Sequence, residues 1–275
     1  MLKKLLKYDF KSVFKYWWIA ALSSFVLAFA GGGCISILNN ERELPLIVQP
    51  FTIIGLVLVI ISFVVFAILS IILVYTRFYK NFFTDEGYLT FTLPVKRTQL
   101  LNSKLLMSVG TIFITSAVCV LNVLVMLCIG FADQIFTKIF WYDFEMVIKT
   151  IVNKLGGYLI VYILEFLLIL LLSITFSSLF MFCCITIASI ITKKAKVLTA
   201  IGIYYVANGV FSFATQLFML FGISSISNWL SALPAGSAHG VAALILLGIL
   251  CLFGLFCALL YTLQYWMIDR KLNLS

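Results

Sequence analysis

Six runs of about 20 or more mainly apolar residues, set apart by short polar stretches, constrain this chain more than any other feature. A helix of about 20 such residues crosses the hydrocarbon core of a bilayer. The runs place spans at 17–38, 51–75, 105–131, 158–191, 197–220 and 241–267. Of the 275 residues, 64% are hydrophobic and only 11% are charged. Soluble domains carry roughly 25% charged residues, so this chain cannot cover a soluble surface. The reading is an all-α polytopic membrane protein with six transmembrane helices over 17–275 and no soluble domain of normal size.

Residues 1–16 form a separate amphipathic segment by pattern. Leu2, Leu5, Leu6, Phe10, Val13 and Phe14 recur at three- and four-residue steps, with Lys4, Lys7, Lys11 and Lys15 opposite. Such a helix is expected to lie in the headgroup plane, its lysines near anionic lipid. The competing reading is the basic start of a signal peptide ending near Ala28-Phe29-Ala30. Against it, the basic segment is long and itself amphipathic, and the apolar run continues to Leu38. Trp17 and Trp18 are expected as interface anchors. Gly31-Gly32-Gly33, near the far end of the first span, suits either close helix approach or a break.

The cations set the orientation. With the N-terminus inside, fifteen of the nineteen Lys and Arg fall on the cytoplasmic side; Arg42, Lys138, Lys149 and Lys154 fall outside. Both termini are then cytoplasmic, in the cell membrane. The net charge of +9 thus points to lipid headgroups rather than nucleic acid. Between spans 3 and 4 the sequence reads as an outer interfacial helix with Trp141 and Tyr142 at headgroup depth. Segment 221–240, broken by glycines, serines and Pro234, is either an outer loop or a pair of short re-entrant helices.

Chemistry-bearing residues are few. None of the seven cysteines has CxxC spacing and His239 is the single histidine, so neither a Cys/His metal site nor a disulfide framework has support. No GxxxxGK[ST], HExxH or GxSxG sequence occurs, which leaves the chain without a phosphate loop or a recognisable catalytic constellation. Glu165 is the one ionisable residue well inside a span. Either it lines a translocation path or it is a structural carboxyl satisfied by a neighbour. Ser173 on the same span and Asn208 on the next either line that path or hydrogen-bond between helices; Asn208 and Gln216, eight residues apart on one face, are interhelical hydrogen-bond groups or part of an interface.

Segment 77–106, RFYKNFFTDEGYLTFTLPVKRTQLLNSKLL, is the most substantial charged interruption on the inner side. Asp85-Glu86-Gly87 makes a polar break at which glycine is free to turn. Pro94 fits a first helical turn, since its missing N–H is not needed there, and Thr92 is a plausible N-cap. The expectation is a short helix over 94–102, lying on the membrane perpendicular to span 3. The alternative is a solvated connection.

The order Asp85-Glu86-Gly87-Tyr88-Leu89, Leu93-Pro94-Val95-Lys96-Arg97, Ser103-Lys104-Leu105-Leu106 resembles the first cytoplasmic loop of ABC-2-type exporter permeases, with Lys96 where that family often has Ser. The resemblance implies a non-enzymatic permease subunit that binds no cofactor, with ATP and Mg held by a separate ATPase present in two copies. It implies ATPase contact through a coupling helix over 94–102, including Pro94, Val95, Lys96, Arg97, Gln99 and Leu100, with Asp85, Glu86 and Gly87 beside it. A second contact would come from Lys193, Lys194 and Lys196, and a second permease chain would face this one across the path. A membrane sensor or assembly protein docking a soluble partner through 77–106 is the competing function.

Overall fold

The computed structural model describes residues 2–39, 48–84, 87, 95–192, 195–223, 229 and 235–270. These residues are all-helical, with no strand among them. In chain order the helices are α1 (Leu2–Asn39), α2 (Val48–Phe83), α3 (Arg97–Gly130), the single turn α4 (Ala132–Ile135), α5 (Lys138–Leu155), α6 (Tyr158–Ile191), α7 (Lys196–Phe218, continued by a π turn at Met219–Ile223) and α8 (Ala235–Arg270). Six of them, α1, α2, α3, α6, α7 and α8, are long and apolar enough to cross a membrane. At 36 residues, α2 and α8 are each about 54 Å long, well beyond the ~30 Å hydrocarbon core.

The chain divides into two compact units, one of Met1–Arg77 with Leu106–Ile151 and one of Phe78–Leu105 with Val152–Ser275. In the first, α1 packs on α2 and α3. Trp17 is 1% exposed, in ring contact with Phe14 at 4.9 Å and Phe66 at 5.8 Å. Its indole Nε1–H donates to Thr115 Oγ1 at 2.9 Å. Two turns on, Asn122 Nδ2 donates to Ser24 Oγ at 3.0 Å. Both contacts join residues 98 apart, so α1 and α3 run parallel, as first and third spans must. One turn before Trp17, Val13 packs with Val74 and Met107.

Two sequence expectations change here. Residues 2–16 are not a separate element: they continue into the span as one helix, because Val13 and Trp17 turn the apolar face onto protein and hold it in line. Of the two expected interface anchors, Trp17 is core and only Trp18, 57% exposed, is free to meet an interface. The glycine cluster makes a close approach, not a break. A Cβ on Gly32 would lie 2.6 Å from Ile129 Cβ, and one on Gly130 would lie 2.6 Å from Ile35 Cβ.

In the second unit α6 and α8 are paired along their length. Tyr162 Oη donates to the His239 carbonyl at 3.1 Å, Cys183 Sγ reaches the Leu260 carbonyl at 3.7 Å, and Gln264 Nε2 donates to Thr186 Oγ1 at 2.7 Å. The separations are 77, 77 and 78 residues, so these helices also run parallel, with α7 returning between them in the chain. Phe176 joins all three, with Phe211 at 5.3 Å and Phe253 at 5.5 Å. The α6 limits match the expected span. Helix α8 begins six residues earlier than expected, which puts His239 in a helix and not in a loop.

Helix α5 has no buried residue. Phe140, Phe144, Val147, Ile148, Ile151 and Leu155 share one face; Lys138, Tyr142, Glu145, Lys149 and Asn153 share the other. Lys149 Nζ bonds Glu145 Oε1 at 2.6 Å. That hydrogen bond, and the ammonium charge behind it, hold the exposed Glu145 carboxyl below its ordinary value.

Candidate functional site: the start of α3 and the α6–α8 pair

Segment 77–106 is only partly a loop. Its first residues extend α2 to Phe83, because Phe78 and Phe82 are fully buried in the second unit and Phe78 stacks on Phe182 at 3.8 Å. The chain then turns: the Gly87 N–H donates to the Thr84 carbonyl at 2.7 Å. A Cβ at Gly87 would lie 2.9 Å from the Phe82 carbonyl oxygen, so glycine is needed there for close approach. Asp85, Glu86, Thr92 and Pro94 lie outside the described residues.

No crosswise helix occupies 97–102. Arg97 is the first residue of α3, and the helix runs unbroken from there to Gly130. The expected coupling helix therefore merges with span 3. Leu100 and Leu101 supply the reason: at 2% and 0% exposed, they turn these first residues into packed helix. Val95 and Gln99 are half-buried, while Lys96 and Arg97 are exposed. Lys104, also part of the resemblance, is 2% exposed.

Arg97 is committed within the chain. Its Nη1 lies 2.8 Å from both Asp269 Oδ1 and the Asp269 carbonyl oxygen, at the last turn of α8. A cation at this end of a helix also meets the favourable end of the helix dipole. One turn along α3, Asn102 Oδ1 accepts from Tyr261 Oη at 2.7 Å. Asn102 and Tyr261 are thus a second tie between α3 and α8. Sequence reading missed Asn102, Tyr261 and Asp269, because nothing local signals a contact across 159 or 172 residues. With both partners of the ion pair nearly half exposed, Arg97→Ala is expected to cost about 0.5–1 kcal/mol of stability, read by thermal unfolding in micelles.

The path candidates do not gather. Glu165 is 5% exposed, while Ser173 is exposed with its hydroxyl donating to the Leu170 carbonyl at 2.9 Å. Asn208 and Gln216 are exposed on α7. Lys196, the first residue of α7, is half-buried and follows Ala195, which sits at φ 43°, in the left-handed region. Lys193 and Lys194 lie outside the described residues, as does most of 221–240.

Beside Glu165 the structure places residues that the sequence reading did not single out. Tyr158 stacks on His239 at 5.9 Å, and the Tyr162 ring meets the same imidazole edge-on at 6.3 Å. Tyr158, Tyr162 and Glu165 recur at four and three residues, which was the available signal for one face of α6. Glu165 Oε2 is buried with no hydrogen-bond partner among the described residues.

The described architecture is that of a multi-pass membrane protein with six membrane-length helices. Comparison with known protein families, with characterised proteins and with solved structures finds no match.

Proposed function

We propose that the chain is the membrane-spanning subunit of an ABC exporter, in the cell membrane with both termini cytoplasmic. It moves substrate with ATP hydrolysed, with Mg, on separate ATPase chains. The observation that carries the reading is the order of motifs in 77–106: an acidic-glycine turn, a Leu-Pro-Val-Lys-Arg segment and a Lys-Leu-Leu start to span 3. No phosphate-loop sequence occurs in these 275 residues, which is compatible with ATP held outside them.

The merged geometry of α3 sharpens how coupling works in this reading. With Leu100 and Gly87 buried and Arg97 tied to α8, the docking groups reduce to Asp85, Glu86 and Lys96, with Gln99 at their edge and Gly87 shaping the turn. Lys193, Lys194 and Lys196 form the second contact. A push on this surface reaches α3 directly and passes to α8 through the Arg97–Asp269 and Asn102–Tyr261 ties. A second permease chain meets the exposed polar face of α7 around Asn208 and Gln216, whose amides gain from pairing at membrane depth. Helix α5 lies along the outer interface, its phenylalanine face in the acyl boundary.

The test is copurification with the ATPase. The variant Asp85→Lys, Glu86→Lys, Lys96→Glu reverses three charges without touching a buried residue of α3. It is expected to lower ATPase recovery at least tenfold at unchanged expression. Undiminished recovery overturns the coupling assignment. A captured soluble partner that does not hydrolyse ATP would favour the sensor reading instead.

A further inference from the structure

Glu165 sits 95% inside the second unit with Oε2 unpartnered among the described residues, and α6, α7 and α8 bring it no fixed positive charge. Helix α6 contains no Lys or Arg, α7 only Lys196 at its first residue, and α8 only Arg270 at its last. The one nearby basic group, His239, is held by the tyrosines: Tyr162 bonds its carbonyl, and Tyr158 stacks on its ring. A carboxylate buried in an apolar bundle needs a partner, and residues of this kind mark functional sites in membranes.

The surroundings say what kind of partner. At the offset that pairs Tyr162 with His239, Glu165 comes level with Ala242 and Ala243, both small residues. One turn deeper on α6, a cavity of about 60 Å3 opens between Ile169, Leu172, Ile249, Leu250 and Phe253. It is wholly apolar and holds roughly four to six water-sized groups. A metal ion does not suit this place. Hard cations take six or more oxygen ligands, and no group of three His, Cys, Asp or Glu occurs among the described residues. A single anion with an apolar slot behind it and aromatic rings in front instead fits an ammonium head on a short hydrocarbon tail.

We propose that Glu165 is the anionic anchor of a binding site for small organic ammonium cations, with the tail in the α6–α8 cavity and the Tyr158, Tyr162 and His239 rings forming the outer wall. The assignment deepens the path reading of Glu165 but does not depend on an ATPase partner. It is therefore tested on the full chain alone, and its failure leaves the coupling test untouched.

The probe is n-butylammonium, titrated calorimetrically into the chain in lipid nanodiscs. Saturable binding is expected, with n-butanol at least tenfold weaker and equimolar sodium not competing. Glu165→Gln, nearly isosteric, is expected to lower affinity at least tenfold. Leu172→Phe, which fills the cavity and keeps the carboxylate, is expected to lower it as well. Equal binding of n-butanol would reduce the site to an apolar hole. Competition by sodium would reduce it to a simple ion site. Unchanged affinity in Glu165→Gln, or no binding to the wild-type chain, would overturn the assignment outright.

Discussion

Trp17→Ala is expected to destabilise the first unit by about 3–5 kcal/mol, while Trp18→Ala changes stability by no more than about 0.5 kcal/mol. The two residues are adjacent and chemically identical; only burial separates them, 1% exposed against 57%. In a membrane, helices gain no hydrophobic advantage from leaving lipid for one another, so van der Waals fit and hydrogen bonds hold them together. Trp17 supplies both, filling the space before Phe66 and bonding Thr115. Truncation leaves a void the size of an indole and removes the bond to Thr115, whose hydroxyl keeps its own donation to the Thr111 carbonyl at 2.8 Å. Thr115→Val keeps the indole and removes the interhelical bond together with the hydroxyl's bond to the Thr111 carbonyl, and should cost about 0.6–1.7 kcal/mol, from the average to the largest value for interhelical bonds in bilayers. Denaturant titration in mixed micelles reads all three variants. Equal losses for the two tryptophans would show that α1 is rotated from the orientation described.

Gly130→Val is expected to cost about 1–3 kcal/mol or more, and Gly33→Ala to be neutral or stabilising by up to about 1 kcal/mol. The opposite signs come from the neighbours. A Cβ at Gly130 would overlap Ile35, and the displaced atom belongs to a β-branched side chain that cannot swing away cheaply. A Cβ at Gly33 meets nothing within 4 Å. Because Gly32 lies against Ile129 and Gly130 against Ile35, one added side chain separates α1 and α3 at both contacts. Tm in detergent, with disulfide trapping between the two helices as a check on spacing, measures the effect. If Gly130→Val unfolds no sooner than wild type, the close approach of α1 and α3 is wrong.

The six helices were legible because a membrane enforces a crude rule: length and apolarity suffice, and packing need not be known. Rotation about each helix axis was not legible. Trp17 and Trp18 both read as anchors, since only tertiary contact decides which one points at α2 and α3. Pro94 and Thr92 gave a sound reason to start a helix near 94. Whether that helix turns across the membrane or runs into the next span depends on what buries Leu100 and Leu101, and their own sequence does not say. Phe78 and Phe82 were counted within a charged loop because Arg77 and Lys80 flank them; on a helix the two rings fall on one face and the cations on others. Glu165 stood out as the lone carboxyl of a span. Its aromatic neighbours did not, because His239 is 77 residues from Tyr162 and reaches it only when α6 and α8 lie parallel.

The Arg97 clamp also bears on how the chain is made. Arg97 and the carboxylate that receives it are 172 residues apart. At roughly 5–20 residues per second of synthesis, the start of α3 waits about ten to thirty seconds for the last turn of α8 to exist. Throughout that interval the guanidinium is free for lipid phosphates or for the insertion machinery. Its transfer to Asp269 then ties the start of α3 to α8, and the surface beside Lys96 takes its final shape only after that helix is in place.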